Sequence, residues 1–119
     1  MTGGLREIGG ERKGVIEVLT FTLEGCSACV EMKEHLAQRK IPFRNITVDE
    51  RLGPILEKEY LTEYYPIVAI VEKSTKVPYW VFVTKSVLDD PKLVHYQTLP
   101  ELALKVKLKY DALQTTSFG

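Results

Sequence analysis

Apolar residues fall along this chain in two rhythms, dense short runs and stripes recurring every three or four residues, and their alternation predicts an α/β domain. The run VIEVLTFTL, Val15 to Leu23, is rich in β-branched and apolar residues and stops at Glu24-Gly25, which predicts a mostly buried strand. From Cys26 to about Lys40, Cys29, Met32 and Leu36 recur at helical spacing with Ala37 one turn round, while Glu31, Lys33, Glu34, Gln38 and Arg39 fall mainly elsewhere. Ile41-Pro42 ends that helix, and PFRNITV predicts a second strand carrying Phe43, Ile46 and Val48. Asp49 is placed to cap a further helix through about Leu61, with Leu52, Ile55, Leu56 and Tyr60 sharing a face.

PIVAIVEK, opening at Pro66, is an uninterrupted apolar run of strand length, and Ser74-Thr75-Lys76 turns it back into VPYWVFVT. Residues 67–84 therefore read as a β-hairpin. After the turn signal Asp89-Asp90-Pro91, VHYQ admits a short extra strand. Thr98-Leu99-Pro100-Glu101 has capping-box spacing, and Leu99, Leu102, Ala103, Val106, Tyr110 and Leu113 form one stripe. LALKVKLKY also alternates with period two, but the cap and the length of the stripe favour a helix. Residues 1–14 hold five of the eight glycines and read as a flexible N-terminal arm; residues 15–113 form one domain and 114–119 a C-terminal tail.

Composition narrows the function classes. At 119 residues the chain is long enough to bury one core without disulfide staples or a structural metal. Sixteen basic residues balance sixteen acidic ones, so no long-range field gathers nucleic acid or an anionic membrane. With no signal-like or membrane-spanning apolar run, a cytoplasmic protein is the default. In that reducing compartment two cysteines two residues apart are placed to react rather than to staple.

The pair Cys26-Ser27-Ala28-Cys29 leaves three readings open: a redox couple, half a metal site, or inert buried thiols. At a helix's first turn, unpaired N–H groups and the positive end of the dipole stabilise a Cys26 thiolate. Cys29, three residues on, returns near the same side, where it can attack a mixed disulfide formed at Cys26. Structural zinc usually takes four ligands, and on an ideal helix His35 lies roughly 180° round from Cys26, so it cannot easily join the pair; His95 could approach only through the tertiary fold. No metal or other cofactor is called for. The setting, directly after a buried strand and at a helix start, favours the redox couple.

The order strand, CSAC at a helix start, strand, helix, proline-led strand, hairpin partner and final helix resembles the thioredoxin superfamily over about residues 15 to 113. With only a short arm before the first strand, and Gly25 rather than tryptophan before Cys26, it is nearer to glutaredoxin and its minimal relatives. The resemblance implies a thioredoxin-like fold, a central mixed four-stranded sheet flanked by about three helices. It also implies Cys26 as attacking thiolate, Cys29 as resolving thiol, and Pro66 as a cis proline facing the pair. That proline would turn the Tyr65 backbone outward to bind an extended substrate. Three departures matter. Leu23-Glu24 stands where many glutaredoxins have a lysine, VHYQTLPE lacks the glycine pair of the glutathione site, and Thr20 stands about where thioredoxins bury a proton-shuttling aspartate. The implied activity is thus a dithiol–disulfide oxidoreductase acting on protein disulfides and recharged by a separate thiol or protein electron donor. Its rivals are an iron-sulfur or metal carrier sharing Cys26 between subunits, and a non-catalytic adaptor using Tyr64, Tyr65, Tyr79 and Trp80.

Overall fold

Each dense apolar run becomes a strand of one sheet, and each stripe becomes a helix laid against it. The structure is a computed structural model that describes residues 15–116. The strands are β1 (Ile16–Thr22), β2 (Arg44–Thr47), β3 (Ile67–Glu72), β4 (Pro78–Val83) and β5 (Leu93–His95). The helices are α1 (Ser27–Gln38), α2 (Leu52–Tyr60) and α3 (Leu99–Thr116). The sheet runs β2-β1-β3-β4-β5 and is open and mixed: β1 and β3 are antiparallel, β3 and β4 antiparallel, and the two outer pairings parallel. This is the thioredoxin-like architecture expected. The N-terminal arm proposed for residues 1–14 lies outside the described residues.

β3 lost its alternation because both its faces are covered: Ile67 through Val71 are all buried. On one face Val18, Val68, Ile70 and Phe82 meet Met32 and Leu36 of α1 and Leu102, Ala103 and Val106 of α3. On the other, Leu19, Ala69, Val81 and Val83 are joined by Tyr60 of α2. Trp80 packs against the first cluster, and the Lys109 ammonium lies 3.8 Å from the centre of its ring.

Several local devices act as their sequences predict. The Asp49 carboxylate accepts from the N–H groups of Arg51 (3.0 Å) and Leu52 (2.8 Å), which opens α2. The Thr98 hydroxyl accepts from Glu101 N–H at 3.2 Å, while the Glu101 carboxylate reaches back to the N–H of Gln97 at 2.8 Å. That cap decides the ambiguous LALKVKLKY for helix, and the helix runs on to Thr116. At the hairpin turn Lys76 adopts a left-handed conformation (φ 63°) and its N–H donates to Glu72 O at 2.8 Å.

Three expectations need refinement. Ile55 does not share the buried face of α2: it is 61% exposed, whereas Leu56 is 7% exposed, so that stripe is one residue narrower. Ala37 likewise faces solvent. The sheet also has one strand more than the four expected, because β5 forms at the VHYQ segment. Val81 N–H donates to Lys92 O (2.9 Å) and Tyr96 N–H to Val83 O (3.1 Å), which ties it alongside β4.

β5 delivers Tyr96, only 3% exposed, whose hydroxyl donates to the carbonyl of Pro66 at 2.6 Å. Burial pushes this phenol up to about 12. The folded state thus holds it neutral where an unfolded tyrosine ionises, near pH 10. Its contribution to stability is complete below pH 10 and is lost as pH rises towards 12. Tyr96→Phe is expected to lose about 1–2 kcal/mol at neutral pH in denaturant unfolding, the range for a buried hydrogen bond. The variant's stability should also fall less steeply than the parent's above pH 10.

Candidate active site

Cys26 lies where the chain leaving β1 enters α1. A tight turn makes the junction: Cys26 N–H donates to Leu23 O at 3.3 Å, and Gly25 takes φ 77°, the left-handed value that a type II turn requires at its third residue. A Cβ at Gly25 would meet no neighbour within 4 Å, so the requirement is conformational rather than steric crowding. Cys26 is extended (φ −89°, ψ 106°) and caps α1 with its Sγ, which accepts from Cys29 N–H at 3.1 Å. A sulfur does here what serine or aspartate does at most helix starts.

Cys26 and Cys29 are joined as a disulfide, their Cα atoms 5.2 Å apart. The two sulfurs have unequal surroundings. Cys29 is 1% exposed and sits with the core side of α1, whereas Cys26 is partly exposed. On reduction, the first-turn N–H groups that face Cys26 favour its thiolate over its thiol.

The Tyr65-Pro66 peptide bond is cis, and Pro66 is buried. Because Phe21 of β1 registers with Ile67 of β3, Pro66 falls beside the end of β1 from which the cysteine loop departs. The Tyr65 ring packs against the core cluster on the α2 face, and its hydroxyl is enclosed without a hydrogen-bond partner among the described residues. That burial raises the phenol's pKa. No hydrogen bond engages the Tyr65 backbone among the described residues. Tyr64, in contrast, is 48% exposed, with the Lys85 ammonium 5.0 Å from its ring centre.

A polar floor lies under the first turns of α1. Thr20 and Thr22 occupy the same sheet face as Val18, and the parallel register sets Thr20 beside Asn45 and Thr22 beside Thr47. Both threonine hydroxyls donate to Asn45 Oδ1, at 3.0 and 2.9 Å, and Asn45 Nδ2 donates to Thr47 Oγ1 at 3.4 Å. Thr20 and Thr22 are buried, and the network carries no formal charge. It faces a cavity of about 420 Å³ that Cys26, Cys29 and Lys33 also line. Sequence reading had noted only Thr20 of this group. The available signal was two threonines at period two within an apolar strand.

The histidines lie apart from this arrangement in their bonding: His35 pairs with Glu31 at 3.5 Å, and His95 contacts Ser86 O at 3.4 Å. Among the described residues no three His, Cys, Asp or Glu side chains converge in a way that could hold a metal ion. No described helix is long and apolar enough to cross a membrane.

The small α/β domain with its Cys-x-x-Cys pair at disulfide distance is arranged for thiol–disulfide exchange. Among curated proteins the chain is similar to the N-acetyl-S-hydroxy-L-cysteine reductase of Bacillus subtilis (strain 168), 36% identical over 58 residues. The match spans 47% of this chain and 62% of that protein, less than two thirds of its length. No family model matches the chain, and no solved structure matches it.

Two predictions concern the site itself. In the reduced protein, the rate of Cys26 alkylation against pH should titrate below the usual ~8.5 of a free thiol, with Cys29 protected. Gly25→Ala should cost about 1–2 kcal/mol in denaturant unfolding, from forcing a Cβ into a left-handed residue.

Proposed function

We propose that this protein is a dithiol–disulfide oxidoreductase, with Cys26 the attacking thiolate and Cys29 the resolving thiol. The reading is carried by the asymmetry of the bonded pair, one cysteine accessible at a helix N-cap and the other 1% exposed beneath it. In the reduced protein the Cys26 thiolate attacks one sulfur of a substrate disulfide. A new S–S bond joins them, and the other half leaves as a thiolate that takes a proton from solvent. Cys29, deprotonated in turn, attacks the Cys26 sulfur, so the Cys26–Cys29 bond forms and the second half leaves. The substrate has gained two electrons and the protein has lost two, to be restored by a separate thiol or protein donor.

Protein disulfides are one substrate class. The unbonded main chain of Tyr65 beside cis-Pro66 offers an extended segment a place to pair next to Cys26. The cytoplasm is the proposed place of action, where such a dithiol is kept reduced. The name of the Bacillus subtilis relative supports a second class, S-hydroxylated cysteine derivatives. There the Cys26 thiolate attacks the oxidised sulfur, hydroxide leaves and becomes water, and Cys29 resolves the mixed disulfide as before.

Cys29→Ser is expected to trap a mixed disulfide at Cys26, seen as a mass increase that dithiothreitol reverses. Reduction of protein disulfides at the parent rate by that variant would remove the resolving role. In graded thiol–disulfide buffers the metal-free protein should form the intramolecular disulfide reversibly within roughly −270 to −120 mV. Failure to form it across that range would turn attention to metal carriage or an adaptor surface.

A further inference from the structure

The cavity beside the cysteine pair lies at the C-terminal ends of the parallel strands β1 and β2, in front of the N-terminus of α1. Open α/β sheets bind small ligands in that position, and about 420 Å³ falls within the several-hundred Å³ usual for small-molecule sites. It lies on the β2 side of the pair, whereas cis-Pro66 belongs to β3 on the other side of β1. A ligand here would therefore reach the sulfurs without using the Tyr65 main chain.

Three features of the lining are chemically specific. Lys33 stands in the second turn of α1, four residues beyond Cys29, and lines the same cavity as both sulfurs; helical side chains lean back toward the N-terminus. The Lys33 side chain thus leans toward the end of the helix that holds the reacting sulfur. It is half-buried and has no ion-pair partner among the described residues. Below it, Asn45 Oδ1 is occupied by two threonine hydroxyls, which fixes the amide so that Nδ2 retains a hydrogen beyond its bond to Thr47. Glu24, the carboxylate among the lining residues, is exposed at the rim.

We infer that this cavity is a substrate subsite for small N-acylated cysteine derivatives oxidised at sulfur, with Lys33 pairing their carboxylate and Asn45 Nδ2 donating to their acyl oxygen. The inference rests on the oxidoreductase reading above and specifies the substrate of that same site. It places the oxidised sulfur of the ligand toward Cys26 and its charged end toward the second turn of α1. The redox step is unchanged: Cys26 bonds to the ligand sulfur, the leaving group departs with the electron pair of the broken bond, and Cys29 releases the reduced thiol.

The test follows oxidation of the reduced protein by three probes: N,N′-diacetyl-L-cystine, its dimethyl ester, and insulin. The parent should react faster with the diacid than with the ester. Lys33→Gln should slow the diacid about tenfold, the size of one hydrogen bond to a charged group, while leaving the ester and insulin unchanged. Lys33→Arg, which keeps the charge, should retain the preference, and Asn45→Ala should slow both small probes but not insulin. An unchanged diacid-to-ester ratio in Lys33→Gln would overturn the subsite. Equal slowing on all three probes would also overturn it, since Lys33 would then act on the Cys26 thiolate rather than on the ligand. A parent protein whose cysteines none of the probes oxidises would instead overturn the oxidoreductase reading itself.

Discussion

The pairing of β1 with β3 is the constraint on which the rest of this molecule depends. Six registered positions, Ile16 with Glu72 through Phe21 with Ile67, lock the two central strands. A slip of one residue would turn every side chain of β3 to the opposite face. Val68 and Ile70 would leave the cluster that receives α1 and α3, and Ile67 and Ala69 the one that receives Tyr60. The same register fixes where β1 stops relative to where β3 starts. The cysteine turn and the cis proline are therefore neighbours through strand pairing, with no need for a dedicated contact between them.

Within that frame the two sulfurs are differentiated by packing rather than by charge. Cys29 rides on the buried side of α1, one turn ahead of Met32, while Cys26 is held at the cap by the turn at Gly25. The strand that supplies the floor offers hydroxyls and an amide where a carboxylate would have imposed a charge. Charged groups enter only at Lys33 and Glu24, on the cavity's wall and rim. Elsewhere charge serves the scaffold. Glu17 takes Lys76 at 2.6 Å and Arg44 at 3.0 Å, tying the hairpin turn and β2 to β1, and those contacts lower its pKa.

What was legible in the sequence was what short-range chemistry determines. The strand before the cysteines, the helix they open, the Asp49 and Thr98 caps, and the hairpin through Ser74-Thr75-Lys76 all depend on residues a few positions apart. Ile55 was misplaced because a nine-residue helix offers too few turns to fix its buried stripe to one residue. β5 is three residues long and is fixed by its hydrogen bonds to β4, so VHYQ alone admits a short strand without requiring one. The polar floor escaped for the same reason. Thr20 and Thr22 meet Asn45 across 25 and 23 residues, so their association exists only once the parallel register does.

The hydrogen bond from Tyr96 to the Pro66 carbonyl links residues 30 positions apart. Both cysteines and the proline precede Tyr96 in the chain. A nascent polypeptide emerging from the ribosome therefore exposes all three before it can supply the hydroxyl that holds that carbonyl, and before α3 can close the core beneath α1. The site is finished from behind, by the last third of the sequence, and during synthesis its thiols emerge well ahead of the helix that closes the core beneath α1.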